Sequence, residues 1–315
     1  MDLNTKINIA KATKKYIELH EMSNSNIARI SAVPKEHLGN ILKGDFTYNA
    51  GKDKTGDIPE KYFFMLAEMV DFELKKKLWK MRQTPQMVQT IEILDDARNN
   101  AVTRVIIGET GCGKSSTLRL FKKQHPADVF SVVVGSEDTL TDLLFKVCSA
   151  LKVPVKGSKS SKIREIARNL ESLRLNGRKP MLVFDECEYM KPAALCSIKE
   201  FYDYLDKKCS ITLIGTEQLK ENINRLRNRD AKGIPQLYRR IKYGFRQLRP
   251  INRSFTDFLQ EIKDTKLKIW LQNNCANYGE LHDVLVPCMK EAERLEHPLT
   301  LSFVQIVLGL NTDVV

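Results

Sequence analysis

An α/β core built on a parallel sheet, with a helical domain before it and a small helical lid after it, is the fold class the sequence predicts. Two observations carry that expectation. From residue 102 onward, short β-rich runs ("VTRVII", "VFSVVV", "MLVF", "ITLI" and "YGFRQLR") alternate with longer stretches of helical period, the pattern of strands joined by crossover helices. On either side of that region the apolar residues recur at helical spacing. With 315 residues, 42% of them hydrophobic, the chain can bury a core in two or three domains. The expected boundaries are 1–82 for the N-terminal helical domain, 83–250 for the α/β core and 251–315 for the lid.

Taken in order, residues 24–44 place Ile27, Ala28, Ile30, Val33, Leu38, Ile41 and Leu42 as two short helices joined by a tight turn, with Pro34 suited to the first turn of the second. This resembles a repressor-like helix-turn-helix. Lys35, Glu36, His37 and Asn40 would then occupy the exposed face that enters a major groove. The same pattern also fits a plain helical hairpin that contacts protein, and Glu36 is repelled by phosphates. A polar segment, "GDFTYNAGKDKTGDIPE" (44–60), reads as a connector, followed by an apolar and basic helix over 60–82. Within the core, "VKGSKSSKIR" (155–164) reads as a basic loop. Beyond Pro250, "FTDFLQEIKD", "LKIWLQNNCANYGELHDVLVPCMKEAERLE" and "TLSFVQIVLGL" return to helical period.

The most specific signal is residues 108–115. Gly108, Glu109, Thr110, Gly111, Cys112, Gly113, Lys114 and Ser115 match G-x-x-x-x-G-K-[ST], with a strand-like run before and "SSTLRLFKKQ" as a helix after. Glycines are required because backbone N–H groups must turn inward around phosphate oxygens where a Cβ would obstruct the turn or the ligand. Lys114 would reach the β- and γ-phosphates, Ser115 would hold Mg²⁺, and the helix that starts near Lys114 and Ser116 adds its positive end. The expected ligands are therefore ATP and Mg²⁺. A second signal, "MLVFDECE" (181–188), is a buried strand ending in Asp185 and Glu186, an acid pair that faces the same crevice. Asp185 is placed for the Mg²⁺ shell and Glu186 to orient or deprotonate the attacking water.

Charge points to the partner. The chain has 51 Lys+Arg against 39 Asp+Glu, a formal charge of +12, and a pI near 9.3; this favours a polyanion over an acidic small substrate. Lys156, Lys159, Lys162 and Arg164, then Arg168 and Arg174, and further on Arg225, Arg227, Arg229 and Lys232 cluster between core elements, where backbone contact with double-stranded DNA is expected. Aromatics are not interleaved with them, which disfavours single-strand stacking. The seven cysteines form no C-x-x-C pair, and "MDLNTKINIA" has no apolar h-region, so a reduced, cytosolic chain of bacterial or viral setting is expected. No window reaches the ~18 apolar residues of a spanning helix, and no membrane partner is expected.

In order along the chain, the phosphate loop, Asp185-Glu186, a strand "ITLIGT" ending in Thr216, and "LYRRI" (237–241) before another strand resemble an AAA+ ATPase. The layout of helical domain, core and lid resembles more narrowly the transposition ATPases of the MuB, IstB and TnsC group. The resemblance implies that Thr216 is the sensor residue beside the γ-phosphate and that Arg240, with Arg239 as the other candidate, is a finger reaching a neighbouring subunit's γ-phosphate. It further implies a homo-oligomer on DNA and a transposase partner. In this group the lid often carries G-x-L-R; here "YGELHD" (278–283) puts His282 at the matching place, a weaker phosphate ligand than arginine. The rival readings are a replication helicase loader or initiator, and a helix-turn-helix regulator gated by ATP.

Overall fold

The computed structural model describes residues 1–310 apart from 50, 52–53, 71, 73–77 and 155–156. Two compact units emerge, Met1–Lys77 with Lys123–Ala127, and Leu78–Lys122 with Asp128–Val315.

The first unit holds α1 (Leu3–Leu19), α2 (Asn24–Ser31), α3 (Lys35–Lys43), a hairpin of β1 (Thr47–Asn49) and β2 (Thr55–Asp57), and α4 (Glu60–Met69). Asp2 and Ser23 cap α1 and α2 by accepting from Thr5 and Asn26 backbone N–H groups. Between α2 and α3 the chain turns at Ala32 in the left-handed region, φ 57°. Ile27, Val33, Leu38, Ile41, Phe63 and Leu66 are all buried and form its core.

Three expectations for this unit change. The connector over 44–60 contains the β1–β2 hairpin, in which Tyr48 pairs with Gly56. A Cβ on Gly56 would come within 3.1 Å of the Tyr48 ring, so the missing side chain is what lets the ring lie there. His37 and Asn40 do not sit on an exposed face: Asn40 Nδ2 donates to Thr47 O at 2.8 Å, and the His37 ring packs against Tyr48 and Tyr62 at 4.8 and 5.1 Å. Lys35 and Glu36 remain exposed. Finally, the helix expected over 60–82 ends at Met69, where Phe72 N–H closes onto Ala67 O in a Schellman-like 6→1 bond.

The second unit begins with α5 (Pro85–Asn100), capped by Thr84. Its sheet contains β3 (Arg104–Ile107), β4 (Val129–Val133), β5 (Met181–Asp185), β6 (Ser210–Gly215) and β7 (Phe245–Gln247), all parallel, in the order β4-β5-β6-β3-β7. All five expected strands lie in this sheet. Between them run α6 (Lys114–Gln124), α7 (Leu140–Leu151), α8 (Lys159–Leu175), α9 (Pro192–Leu205), α10 (Glu217–Asn228) and α11 (Ile234–Ile241). The lid follows as α12 (Thr256–Leu259), α13 (Thr265–Asn274), α14 (Tyr278–Arg294) and α15 (Leu301–Val307).

Alternation along the strands explains why both faces are covered. Val105, Ile107, Leu182, Phe184, Ile211 and Leu213 point to one core with α7 to α11. Ile106, Met181, Val183 and Ile214 point to the other, shared with α5, α6 and the lid. The expected basic loop over 155–164 is corrected in part: Ser158 caps α8 by accepting from Ser161 N–H, so Lys159, Lys162 and Arg164 lie in the first turns of a helix. Lys156 falls outside the described residues. Arg225 and Arg227 also lie on a helix, in the last turn of α10, where cations complement the helix dipole. The described helices include none long and apolar enough to cross a membrane.

Candidate nucleotide site

The sheet order places the site. Leaving β3, the chain crosses to the far edge at β4, returns through β5 and β6, and then adds β7 on the other side of β3. The C-terminal ends of β5, β6 and β3 therefore lie in a row at the point where the winding reverses, the crevice in which such sheets bind ligands. Asp185, Thr216 and Gly108 occupy those ends, and Gly108 N–H donates to Gly215 O at 3.1 Å.

The loop is shaped by its glycines. Gly111 and Gly113 have φ of 71° and 92°, open to glycine at little cost. Gly108 has no room for a Cβ, which would lie 2.8 Å from Leu248 Cδ1. Cys112 is buried beneath the loop. Glu109 braces it twice: its carbonyl accepts from Cys112 N–H, and its carboxylate accepts from Ile251 N–H at 3.3 Å. Lys114 Nζ donates to the Gly108 and Glu109 carbonyls at 2.9 and 2.8 Å, which keeps the ammonium over the loop. Thr110 and Ser115 are exposed, Ser116 Oγ accepts from Arg119, and Thr117 Oγ1 donates to Gly113 O at 2.8 Å, locking the loop to α6.

Asp185 is 3% exposed and accepts from Glu186 N–H at 3.0 Å, which fixes its carboxylate. Glu186 takes a left-handed φ of 58°, uncommon for a side chain of its size and a place where backbone strain is stored. Burial, with Asp185 and Glu188 beside it, raises the Glu186 pKa, which makes it a better proton acceptor. Among the described residues, the buried Thr216 hydroxyl has no hydrogen-bond partner. Positive-φ glycines, a fixed buried carboxylate and an uncommitted hydroxyl in one row fit a nucleotide triphosphate with Mg²⁺ on Ser115 and Asp185.

The lid contributes a residue that the sequence reading missed. Asn277 caps α14 by accepting from Glu280 N–H, while the Glu280 carboxylate accepts from Ala276 N–H and from the Asn277 side-chain amide. This cap lies directly on the phosphate loop, since a Cβ on Gly111 would be 2.1 Å from Asn277 Oδ1 and 2.9 Å from its Cβ. His282, by contrast, meets the edge of the Trp79 ring at 5.2 Å and lies 3.0 Å from Asp283. Because the whole Asn277 side chain must move and φ 71° disfavours a Cβ, Gly111→Ala is expected to weaken ATP binding at least about tenfold in a titration.

Arg239 and Arg240 are not brought to this loop. They line an open pocket with Tyr202, Asp203 and Asp206. Arg240 donates to Asp203 Oδ1 at 2.6 Å and lies over the Tyr202 ring at 5.5 Å, so the favoured finger candidate is held within its own chain. Arg239 is exposed and, among the described residues, unpaired. Among the basic residues, Arg227 lies over the Tyr238 ring at 4.3 Å and Arg225 donates to Asn222 Oδ1 at 2.8 Å, while Lys159 and Arg164 are exposed.

Comparison with known proteins agrees with this geometry. Residues 98–223 match the family model described as AAA domain, a span that runs from the end of α5 into α10. No curated protein matches the sequence. Among solved structures, the chain is similar to Cdc6p from Pyrobaculum aerophilum, with TM-score 0.55 and 16% identity over 74% of this chain and 69% of that one. It is also similar to the Aeropyrum pernix ORC2 protein in its ADPNP-ADP complexes, with TM-score 0.54 and 13% identity over 77% and 71%. At these identities the likeness is one of fold.

Proposed function

We propose that this AAA+ ATPase binds duplex DNA without sequence preference, assembles on it as a homo-oligomer while ATP is bound, and presents that DNA to a transposase. The observation that carries the reading is the layout: a helical unit α1–α4 first, then the loop, acid pair and sensor threonine on one sheet edge, then a lid whose α14 cap rests on the loop. That order supports the resemblance to the MuB, IstB and TnsC group.

The chemistry is water attack on the γ-phosphate of ATP. The loop amides and Lys114 hold the β- and γ-phosphates, and Ser115 and Asp185 would hold Mg²⁺, which would supply neutralisation of charge on the phosphate oxygens. Glu186 orients the water and accepts its proton; Thr216 offers its hydroxyl at the γ-phosphate end. Arg239 of an adjacent subunit completes the charge stabilisation, and Arg240 braces α11 against α9 through Asp203. Hydrolysis is thereby tied to assembly. Arg239→Ala is expected to keep ATP affinity while lowering DNA-stimulated turnover by about 10³-fold, the scale of a finger arginine; a turnover assay on long duplex checks it.

The test of the function is binding to random-sequence duplexes of increasing length with ATP, ADP or a non-hydrolysable analogue. Affinity that grows with length only in the triphosphate form, and falls steeply with salt, is the expected result. One tight site bound regardless of nucleotide would instead favour the gated regulator. Capture of a hexameric helicase in place of a transposase would favour the loader or initiator.

A further inference from the structure

Glu188 lies three residues beyond Asp185 and, apart from its charge beside Glu186, has no role in the chemistry above. After Glu186 the chain makes one 3-10 turn, Cys187–Tyr189, which carries the Glu188 carboxylate back toward the start of α10. There Glu188 Oε2 accepts from the Thr216 N–H at 3.3 Å. From the second turn of α10, Asn222 Nδ2 donates to the Glu188 carbonyl at 3.3 Å. The turn after the acid pair and the helix after the sensor strand are thus fastened at two points. Gly215 makes the approach possible, since a Cβ there would stand 2.9 Å from Glu188 Oε2.

The capping chemistry of α10 shows what this fastening does. Thr216 is the N-cap, yet its side chain makes no cap hydrogen bond. A threonine in that position ordinarily turns its hydroxyl onto its own helix, and a Glu or Gln three residues on reaches back to the cap N–H. Three residues on stands Leu219, which has no acceptor. Glu188 supplies the missing acceptor from another element, and its negative charge complements the positive end of α10. Anchored by its N–H, Thr216 keeps its hydroxyl uncommitted, in agreement with the buried, unpartnered Oγ1.

We infer that Glu188 is a positioning residue of the ATPase reaction, holding the Thr216 backbone so that the Thr216 hydroxyl is left for the substrate instead of capping α10. The inference rests on the reading of Thr216 as the sensor. It makes Glu188 act on turnover through Thr216 and leaves phosphate binding by the loop intact.

The test is steady-state ATP hydrolysis with a parallel nucleotide titration on Glu188→Ala, Glu188→Gln, Thr216→Val and the Glu188→Ala/Thr216→Val double variant. Loss of the charge-assisted bond is expected to lower kcat about tenfold in Glu188→Ala with ATP affinity within about threefold of wild type. Glu188→Gln keeps an oxygen acceptor and is expected to recover most of the turnover. The double variant is expected to be no slower than Thr216→Val alone. Losses that multiply in the double variant, wild-type turnover in Glu188→Ala, or a Gln variant as slow as the Ala variant would overturn the inference. If Glu188→Ala melts early, Glu188→Asp carries the same comparison, being one methylene too short for the Thr216 N–H. Hydrolysis that survives Lys114→Ala would overturn the site assignment itself, whatever Glu188 does.

Discussion

Lys114→Ala is expected to lower ATP hydrolysis at least about a hundredfold and to abolish measurable ATP binding, because a point cation on the β/γ oxygens has no substitute in this loop. Lys114 Nζ already spans the Gly108 and Glu109 carbonyls, 2.9 and 2.8 Å away, so its place is set by the loop itself. Removing it leaves the glycine turn without a counter-charge. The fold is expected to survive, since Lys114 starts α6 and the core contacts of that helix come from Leu118 and Phe121. Nucleotide titration with a thermal melt separates the two effects: lost binding at an unchanged melting temperature is the predicted pair.

Glu186→Gln is expected to behave in the opposite way, binding ATP normally while turnover falls by about 10²–10⁴-fold, the range for loss of a general base. Gln keeps the shape and the hydrogen-bonding reach but cannot accept the proton. Its left-handed backbone need not change, as Glu and Gln meet the same steric cost at φ 58°. If assembly follows ATP binding, this variant is expected to stay on long duplex after wild type has dissociated, which a time course of DNA release reads directly. Normal turnover in Glu186→Gln would move the base elsewhere along the row of strand ends.

Much of the core was legible because its signals are local. The runs that became β3 to β6 are short and largely apolar, and the phosphate loop is fixed by residue type and spacing alone. The β1–β2 hairpin was not legible, because three-residue strands as polar as Thr47–Asn49 and Thr55–Asp57 carry no periodicity and owe their place to contacts such as Asn40 on Thr47. The start of α8 did have a signal, Ser158 ahead of an apolar helical period, but the density of Lys and Ser there reads equally well as loop.

At the site, the missing pieces are contacts between residues distant in sequence. The fit of Asn277 on Gly111 left only the N-x-x-E cap pattern at the start of α14 to be seen. Motif position puts His282 where lids of the resembling group carry arginine, and the helix turns that ring to Trp79. Likewise nothing local distinguishes Arg239 from Arg240. What separates them is Asp203 on α9, which captures one guanidinium and leaves the other exposed.

The central claim is that ATP-bound subunits assemble on DNA and complete one another's sites. The most direct measurement is turnover on long duplex DNA when Arg239→Ala is mixed with Glu186→Gln. Each variant alone lacks one half of a working site, but a Glu186→Gln subunit can lend its Arg239 to the intact pocket of an Arg239→Ala neighbour. The mixture is expected to hydrolyse ATP well above the sum of the separate variants, with a gain that requires the duplex. Turnover in the mixture equal to that sum at every ratio would contradict it.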